Sequence, residues 1–150
     1  MNVIRLTRVV DIIRHWDFFV EGFEGITRKA REEFDLDQMQ KTLFYLAKIH
    51  DNAFVGIAFE DKTPVGFIIM EEATPLFAPT RSCIARAVYH RPGASAIAPM
   101  MEAFEAWAKS HGFKHYVITT RRHSGSAVRF FQSPKFGFKR GYITFEKEIK

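Results

Sequence analysis

The 150-residue sequence predicts one α/β domain spanning residues 1–150, a mixed sheet with helices on both faces, and three observations carry that prediction. Residues 53–72 read as a β-hairpin, residues 82–110 as a strand that passes through small residues into an amphipathic helix, and strand and helix patterns follow one another elsewhere. The length is close to the commonest for one domain, and 47% hydrophobic residues suffice for a core without disulfides or metal.

Asn2 to Thr7 alternates apolar and polar residues and predicts a first strand, after which Asp11 stands as a first-turn acid for a helix from about Val10 to Phe23. Leu36, Met39, Leu43, Leu46 and Ile49 recur at spacings of three and four behind caps at Asp35 and Asp37, which predicts a second helix. In the hairpin, Ala53, Val55, Ile57 and Phe59 share one side of the first strand. Asp61, Lys62, Thr63 and Pro64 supply turn chemistry before a second strand from Val65 to about Glu72.

Pro75 and Pro79 interrupt the chain, and Ser82 to Tyr89 predicts a strand leading into Arg91, Pro92 and Gly93. Ile97, Met100, Met101, Phe104, Trp107 and Ala108 form the stripe of a third helix. Lys109 and His111 lie in its last turn, and Gly112 is its left-handed stop. Pro99 is tolerated only where no backbone N–H is needed, so this helix starts near Ala96 or Ile97. His115 to Thr120 is a β-branched run, Ser124 or Ser126 caps a short helix through Phe131, and Tyr142 to Ile149 alternates as a final strand.

Composition narrows the function. The single Cys83 excludes an internal disulfide framework and a zinc knuckle, and points to a reducing compartment, with the cytoplasm as the expectation. No apolar run suits a signal peptide or approaches the roughly 20 residues of a membrane span. Sixteen Phe predict an aromatic-rich core. A formal charge of +5 favours anionic partners, whether nucleic acid, an acidic protein surface or a phosphorylated small molecule.

The segment with most chemistry is Ala87-Val88-Tyr89-His90-Arg91-Pro92-Gly93-Ala94-Ser95-Ala96-Ile97. Small residues between a strand and a helix let backbone N–H groups approach an anion, and the helix dipole adds positive potential, which suits a phosphate. Taken alone, the segment reads equally well as an ordinary strand-to-helix turn. Glu71 and Glu72 are either a solvated strand end or a base or amine-binding pair, and His90 either a loop residue or a base in the useful pKa range. Tyr89 and Tyr142 line a cleft or pack. Cys83 has no His-Asp partner set and reads as a small buried hydrophobe. Arg121, Arg122 and His123 are a solvated charge run, or a basic group for a phosphate, an acceptor carboxylate or nucleic acid.

The hairpin with Pro64-Val65-Gly66-Phe67, the strand and loop at 82–96, the helix ending Trp107-Ala108-Lys109-Ser110-His111-Gly112, and Ala127-Val128-Arg129-Phe130-Phe131 followed by Gly137-Phe138 together resemble the GNAT N-acetyltransferases, covering most of the chain. Within them the chain looks most like short single-domain bacterial and phage members. The resemblance implies a central, mostly antiparallel mixed sheet and transfer of an acetyl or other acyl group from acetyl-coenzyme A to a primary amine of a small molecule or protein, without metal. It implies that Ala87, Val88 and Tyr89 hold the pantetheine arm and that Arg91, Gly93, Ala94, Ser95, Ala96 and Ile97 hold the phosphates, with Phe130 and Phe131 on the cofactor side. It leaves Glu71, Glu72 and His90 as candidates for acid-base work. Where the family loop reads roughly R-x-x-G-x-G/A, this chain has Ala94 in place of the first Gly, and Pro92 offers no N–H. Where many members carry a Tyr acid, it has Phe131.

Two other readings stay open. One is a GNAT-shaped binding module that acts by contacting a partner protein. The other is nucleic-acid binding through Arg121, Arg122, Lys135, Lys139 and Arg140 beside Phe rings, for which the net charge is modest. The aromatic final strands offer an edge for a homodimer.

Overall fold

In the computed structural model the chain runs β1 (Asn2–Arg5), α1 (Val9–Arg14), α2 (Trp16–Ala30), α3 (Leu36–Lys48), β2 (Ala53–Glu60), β3 (Thr63–Glu72), β4 (Ser82–His90), α4 (Ile97–Ser110), β5 (His115–Val117) and α5 (Ser126–Gln132), with a 3₁₀ turn at Pro134–Phe136. The structure describes residues 1–73, 79–119, 126–139 and 147–149. They belong to two units, Met1–Ile118 and Thr119–Lys150.

The first unit is built on a sheet whose strand order equals chain order, β1-β2-β3-β4-β5. The first three pairings are antiparallel and the last, between β4 and β5, is parallel. The central strands read as nearly continuous apolar runs because both their faces are covered. Phe67, Ile68, Ile69 and Met70 in β3 are all at most 1% exposed. One face packs α1, α2 and α3 around Phe19, Leu43, Ile57 and Phe67. On the other face Phe54 meets Phe104 and Trp107 of α4, with ring centroids 5.8 and 5.5 Å apart.

The expected mixed sheet with helices on both faces is present. Asp35 caps α3, its carboxylate accepting from the Gln38 N–H at 3.0 Å. Gly112, φ +80°, follows α4 in the left-handed region as predicted.

Several boundaries differ from the sequence reading, among them β1, which stops at Arg5 rather than Thr7. The helix expected from Val10 to Phe23 is two helices that meet at His15 (φ −112°, ψ 21°), the second continuing to Ala30. The His15 N–H donates to the Ile12 carbonyl at 3.2 Å, a tight bond that closes α1, and the His15 carbonyl receives Phe18 and Phe19 at 3.1 Å to open α2. The His15 ring meets Phe59 edge-on at 5.5 Å, so the sheet holds the break in place. The hairpin turn narrows to Asp61 and Lys62, because Thr63 and Pro64 already pair with β2. Asp61 adopts φ +53°, the left-handed conformation that a two-residue connection needs. The strand expected over His115 to Thr120 stops at Val117.

Pro75, Arg121 to Ser124, Arg140 and Tyr142 lie outside the described residues, as does most of the predicted final strand with its expected dimer edge. Among the described residues no helix is long and apolar enough to cross a membrane.

In the second unit, α5 runs into the 3₁₀ turn and Gly137, φ +70°, ends it. Phe130 stacks on Phe136 at 4.0 Å, and Phe131 meets Phe130 and Phe138 edge-on at 5.2 and 5.1 Å.

Candidate functional site

The site is set by where β4 loses its neighbour. β5 pairs with β4 only over Ser82, Cys83 and Ile84, partnered by His115, Tyr116 and Val117. Beyond Ile84, the backbone edge of residues 85–90 on that side has no strand partner among the described residues. Across the strand, Ile69 faces Ala87 and Met70 faces Ala85, so Arg86 is the extra residue of a β-bulge. A bulge bends its strand and increases the local twist, and this one lies two residues past the point where the pairing of β4 with β5 ends. The sequence-predicted Ala87, Val88 and Tyr89 occupy this unpaired stretch.

At its end β4 enters the small-residue loop. The Arg91 carbonyl accepts from the Ala94 N–H at 3.1 Å, and Gly93 has φ +81°. Pro92 and Gly93 therefore occupy the two corners of a type II turn, the arrangement that the dipeptide Pro-Gly favours. The Arg91 N–H donates to the Val65 carbonyl at 2.8 Å and ties the turn to β3. Pro92, Gly93 and Ser95 are exposed, and a Cβ built on Gly93 would meet nothing within 4 Å.

Ala96 is the N-cap of α4 and offers no side-chain cap, and the first turn carries no acid. The backbone N–H groups of Ser95, Ala96, Ile97 and Ala98 make no hydrogen bond among the described residues, so the positive end of a 14-residue helix is free to meet an anion. Pro99 sits in the first turn, where its missing N–H removes little. Gly66 lets this helix start settle on the sheet. A Cβ there would lie 2.9 Å from the Tyr89 carbonyl oxygen and 3.0 Å from the Ala96 Cβ.

Arg91 itself turns away from the loop. Its guanidinium donates twice to the Glu21 carboxylate of α2, at 3.0 and 3.2 Å, and lies 5.0 Å from the centre of the Phe18 ring. Tyr89 packs on the same side, against Phe18 and Phe67 at 5.9 and 5.4 Å, and burial with the added field of Glu21 raises its phenol pKa. A cleft of about 530 Å³ opens beside this pair, between the α1–α2 junction, Pro64 and Arg91. Of the β4–α4 segment, only Arg91 lines it.

The candidate acid-base groups do not converge. Glu71 accepts from Arg86 Nε at 2.6 Å. Glu72 forms a two-bond pair with Arg81 at 3.0 and 3.2 Å and also accepts from Asn52. His90 is half-buried with Nδ1 3.0 Å from the Arg91 carbonyl oxygen. Cys83 is 1% exposed, and burial first of all, with the nearby Glu72 charge, pushes its thiol up to about 12, which fits packing rather than nucleophilic duty. Phe130 and Phe131 belong to the second unit, where their rings pack on one another.

Sequence reasoning passed over Glu21 and Arg86. Nothing local marks Glu21, an acid on a helix surface. Arg86 did carry a signal, a charge interrupting the run Ile84-Ala85-Arg86-Ala87-Val88 in the middle of a strand.

No protein-family model and no curated protein matches the sequence. Solved structures do match along the full chain. A probable acetyltransferase is 13% identical with a TM-score of 0.76, covering 100% of this chain and 99% of its own. An aminoglycoside acetyltransferase from an uncultured soil metagenomic sample, solved with sisomicin, is 14% identical with a TM-score of 0.75, covering 99% and 96%. A ribosomal-protein-alanine N-acetyltransferase from Brucella melitensis biovar Abortus 2308 is 12% identical with a TM-score of 0.68, covering 99% and 100%. With its antiparallel strands β1 to β4, its parallel β5 that parts from β4, and helices on both faces, the chain has the GNAT acetyltransferase fold.

Proposed function

We propose that the chain is an N-acyltransferase that takes an acetyl or other acyl group from acyl-coenzyme A and gives it to a primary amine. The observation that carries this reading is that the pairing of β4 with β5 ends at Ile84, so that among the described residues the backbone edge from the bulge at Arg86 to the helix N-terminus has no strand partner. An extended pantetheine arm has the hydrogen-bonding pattern to lie along such an edge, and a diphosphate suits the donors at Ser95 to Ala98.

The chemistry follows from position. A backbone N–H of β4 aimed at the thioester carbonyl stabilises the oxyanion as the neutral amine attacks. The N–acyl bond forms, the C–S bond breaks, the thiolate leaves, and the amine's proton passes to solvent while the thiolate gains one. Holding amine and thioester in line contributes much of the rate, and a positioned base would add roughly 10²- to 10⁴-fold. With Glu71 and Glu72 in ion pairs and Phe131 without a hydroxyl, the reading assigns positioning the larger share. The lone buried Cys83 suits a reducing, cytoplasmic setting.

Calorimetry with coenzyme A and a thiol-release assay with acetyl-coenzyme A and a panel of amines test the reading. Binding at micromolar coenzyme A with amine-dependent thiol release is the expected result. No binding at millimolar coenzyme A rules it out. The same ion pairs and Phe131 favour a second reading, a GNAT-shaped module that binds a partner without turnover. Coenzyme A binding with no thiol release for any amine or lysine peptide would select it.

A further inference from the structure

The bulge in β4 carries an ion pair. Arg86 lies two residues beyond the last pairing of β4 with β5, and its partner Glu71 lies across the strand on β3. The pair is joined by one bond from the side of the guanidinium, Arg86 Nε to Glu71 Oε2 at 2.6 Å. Glu71 Oε1 and both terminal guanidinium nitrogens of Arg86 make no hydrogen bond among the described residues. The Arg86 side chain is 55% exposed and the Glu71 side chain 19%, so the guanidinium reaches into solvent from a carboxylate that is itself held by the sheet. One partner fixes the other, and each keeps a polar end in reserve.

We propose that Glu71 and Arg86 form a receptor for a zwitterionic acceptor, a small primary amine that also carries a carboxylate, as amino acids do. This rests on the acyl-transfer reading of the same site. Glu71 Oε1 accepts from the amine, which brings the nucleophile to the stretch of β4 where the thioester would lie, and the Arg86 terminal nitrogens donate to the acceptor carboxylate. Charge argues the same way. The two carboxylates that end β3 are both matched by arginines, Glu71 by Arg86 and Glu72 by Arg81, so this rim offers no surplus negative charge to a polycation. An anionic group on the acceptor completes the pair, while a purely cationic amine meets the guanidinium with like charge.

The test compares α- and ω-amino acids, the same compounds as carboxamides, and sisomicin as acceptors for acetyl-coenzyme A, with coenzyme A affinity measured alongside. The best amino acid should exceed its carboxamide and sisomicin in kcat/KM by at least about tenfold, the worth of one charge-assisted hydrogen bond. Arg86→Gln should lower the acid-to-carboxamide ratio by roughly ten- to a hundredfold, chiefly through KM, while Arg86→Lys keeps part of it. Chemical-shift titration with the same amino acids reads the site without turnover, and shifts at Glu71 and Arg86 are expected. Coenzyme A binding accompanied by equal or better use of carboxamides or sisomicin, an unchanged ratio in Arg86→Gln, or no shift at the pair overturns the proposal alone. Absence of coenzyme A binding overturns the acyl-transfer reading and this proposal with it.

Discussion

Arg91 at the end of β4 and Glu21 on α2, 70 residues apart in sequence, meet as a two-bond pair at 3.0 and 3.2 Å, so the loop proposed to seat a diphosphate has its one cation turned toward a carboxylate. Both side chains are more than a third exposed, and a pair of that kind is worth under about 1 kcal/mol to stability.

Glu21→Gln therefore leaves the midpoint of denaturant unfolding almost where it was. The freed guanidinium and the lost negative charge raise coenzyme A affinity by about two- to fivefold at low ionic strength, an advantage that fades in salt. Calorimetry at two salt concentrations checks this. Equal affinity for both proteins at both concentrations would mean that the pair plays no part in binding.

Gly93 separates backbone strain from charge. At φ +81° any other residue is strained by roughly 1–2 kcal/mol, and open space around its Cβ position adds no clash. Gly93→Asn, the side chain that best tolerates this conformation, should bind coenzyme A nearly as the original does. Gly93→Asp, of the same shape, should bind at least about tenfold more weakly because a negative charge enters the phosphate seat. Matching affinities in the two folded variants would move the site elsewhere.

Gly22 is where α2 touches the sheet. A Cβ there would lie 2.2 Å from Phe67 Cε1 and 2.9 Å from Tyr89 Cδ1, and Phe67 is fully buried with no room to yield. Alanine gains up to about 1 kcal/mol in helix propensity, yet overpacking costs about 1–3 kcal/mol and a contact this short lies at the upper end. Gly22→Ala should destabilise by about 1–2 kcal/mol net, and Gly22→Ala combined with Phe67→Leu should lose less than the two single changes added together. Chemical denaturation of the four proteins measures the coupling.

The pH dependence has two arms. The Cys83 thiol is raised to about 12 in the folded chain, so the native state keeps its proton longer than the unfolded state, and stability is lost as pH climbs from about 9 toward 12. Burial lowers His15, so its contribution is present above the ordinary histidine range and is lost as pH falls through the folded value. Cys83→Ala should flatten the alkaline arm and His15→Gln the acidic one. A thiol reagent at pH 8 should modify Cys83 in the native chain far more slowly than in urea.

The sequence carried the fold because its signals were local. Turn residues bracket the hairpin, Asp35 caps α3, Gly112 stops α4, and Pro99 can stand only in a first turn. What stayed hidden depends on partners far away in the chain. No glycine or proline marks His15, and it is the Phe59 ring from β2 that receives the imidazole at the break. The small residues from Gly93 to Ala96 announced a turn between strand and helix, whereas the direction of the Arg91 side chain depends on Glu21 and Phe18. The bulge left only the charge of Arg86 inside an apolar run, since one added residue alters the register only against a particular neighbour, here Ile69 and Met70.

A strand order that repeats the chain order also governs assembly. β2 and β3 are joined by Asp61 and Lys62 alone, and β4 follows after a short connection, so these three strands close small loops at little entropic cost. β1 must wait for α1 to α3 to be spanned, and β5 for α4. The strands that close the smallest loops thus already carry the bulge at Arg86 and the lip of β4, whereas β5, the strand that parts from β4, joins only across the span of α4.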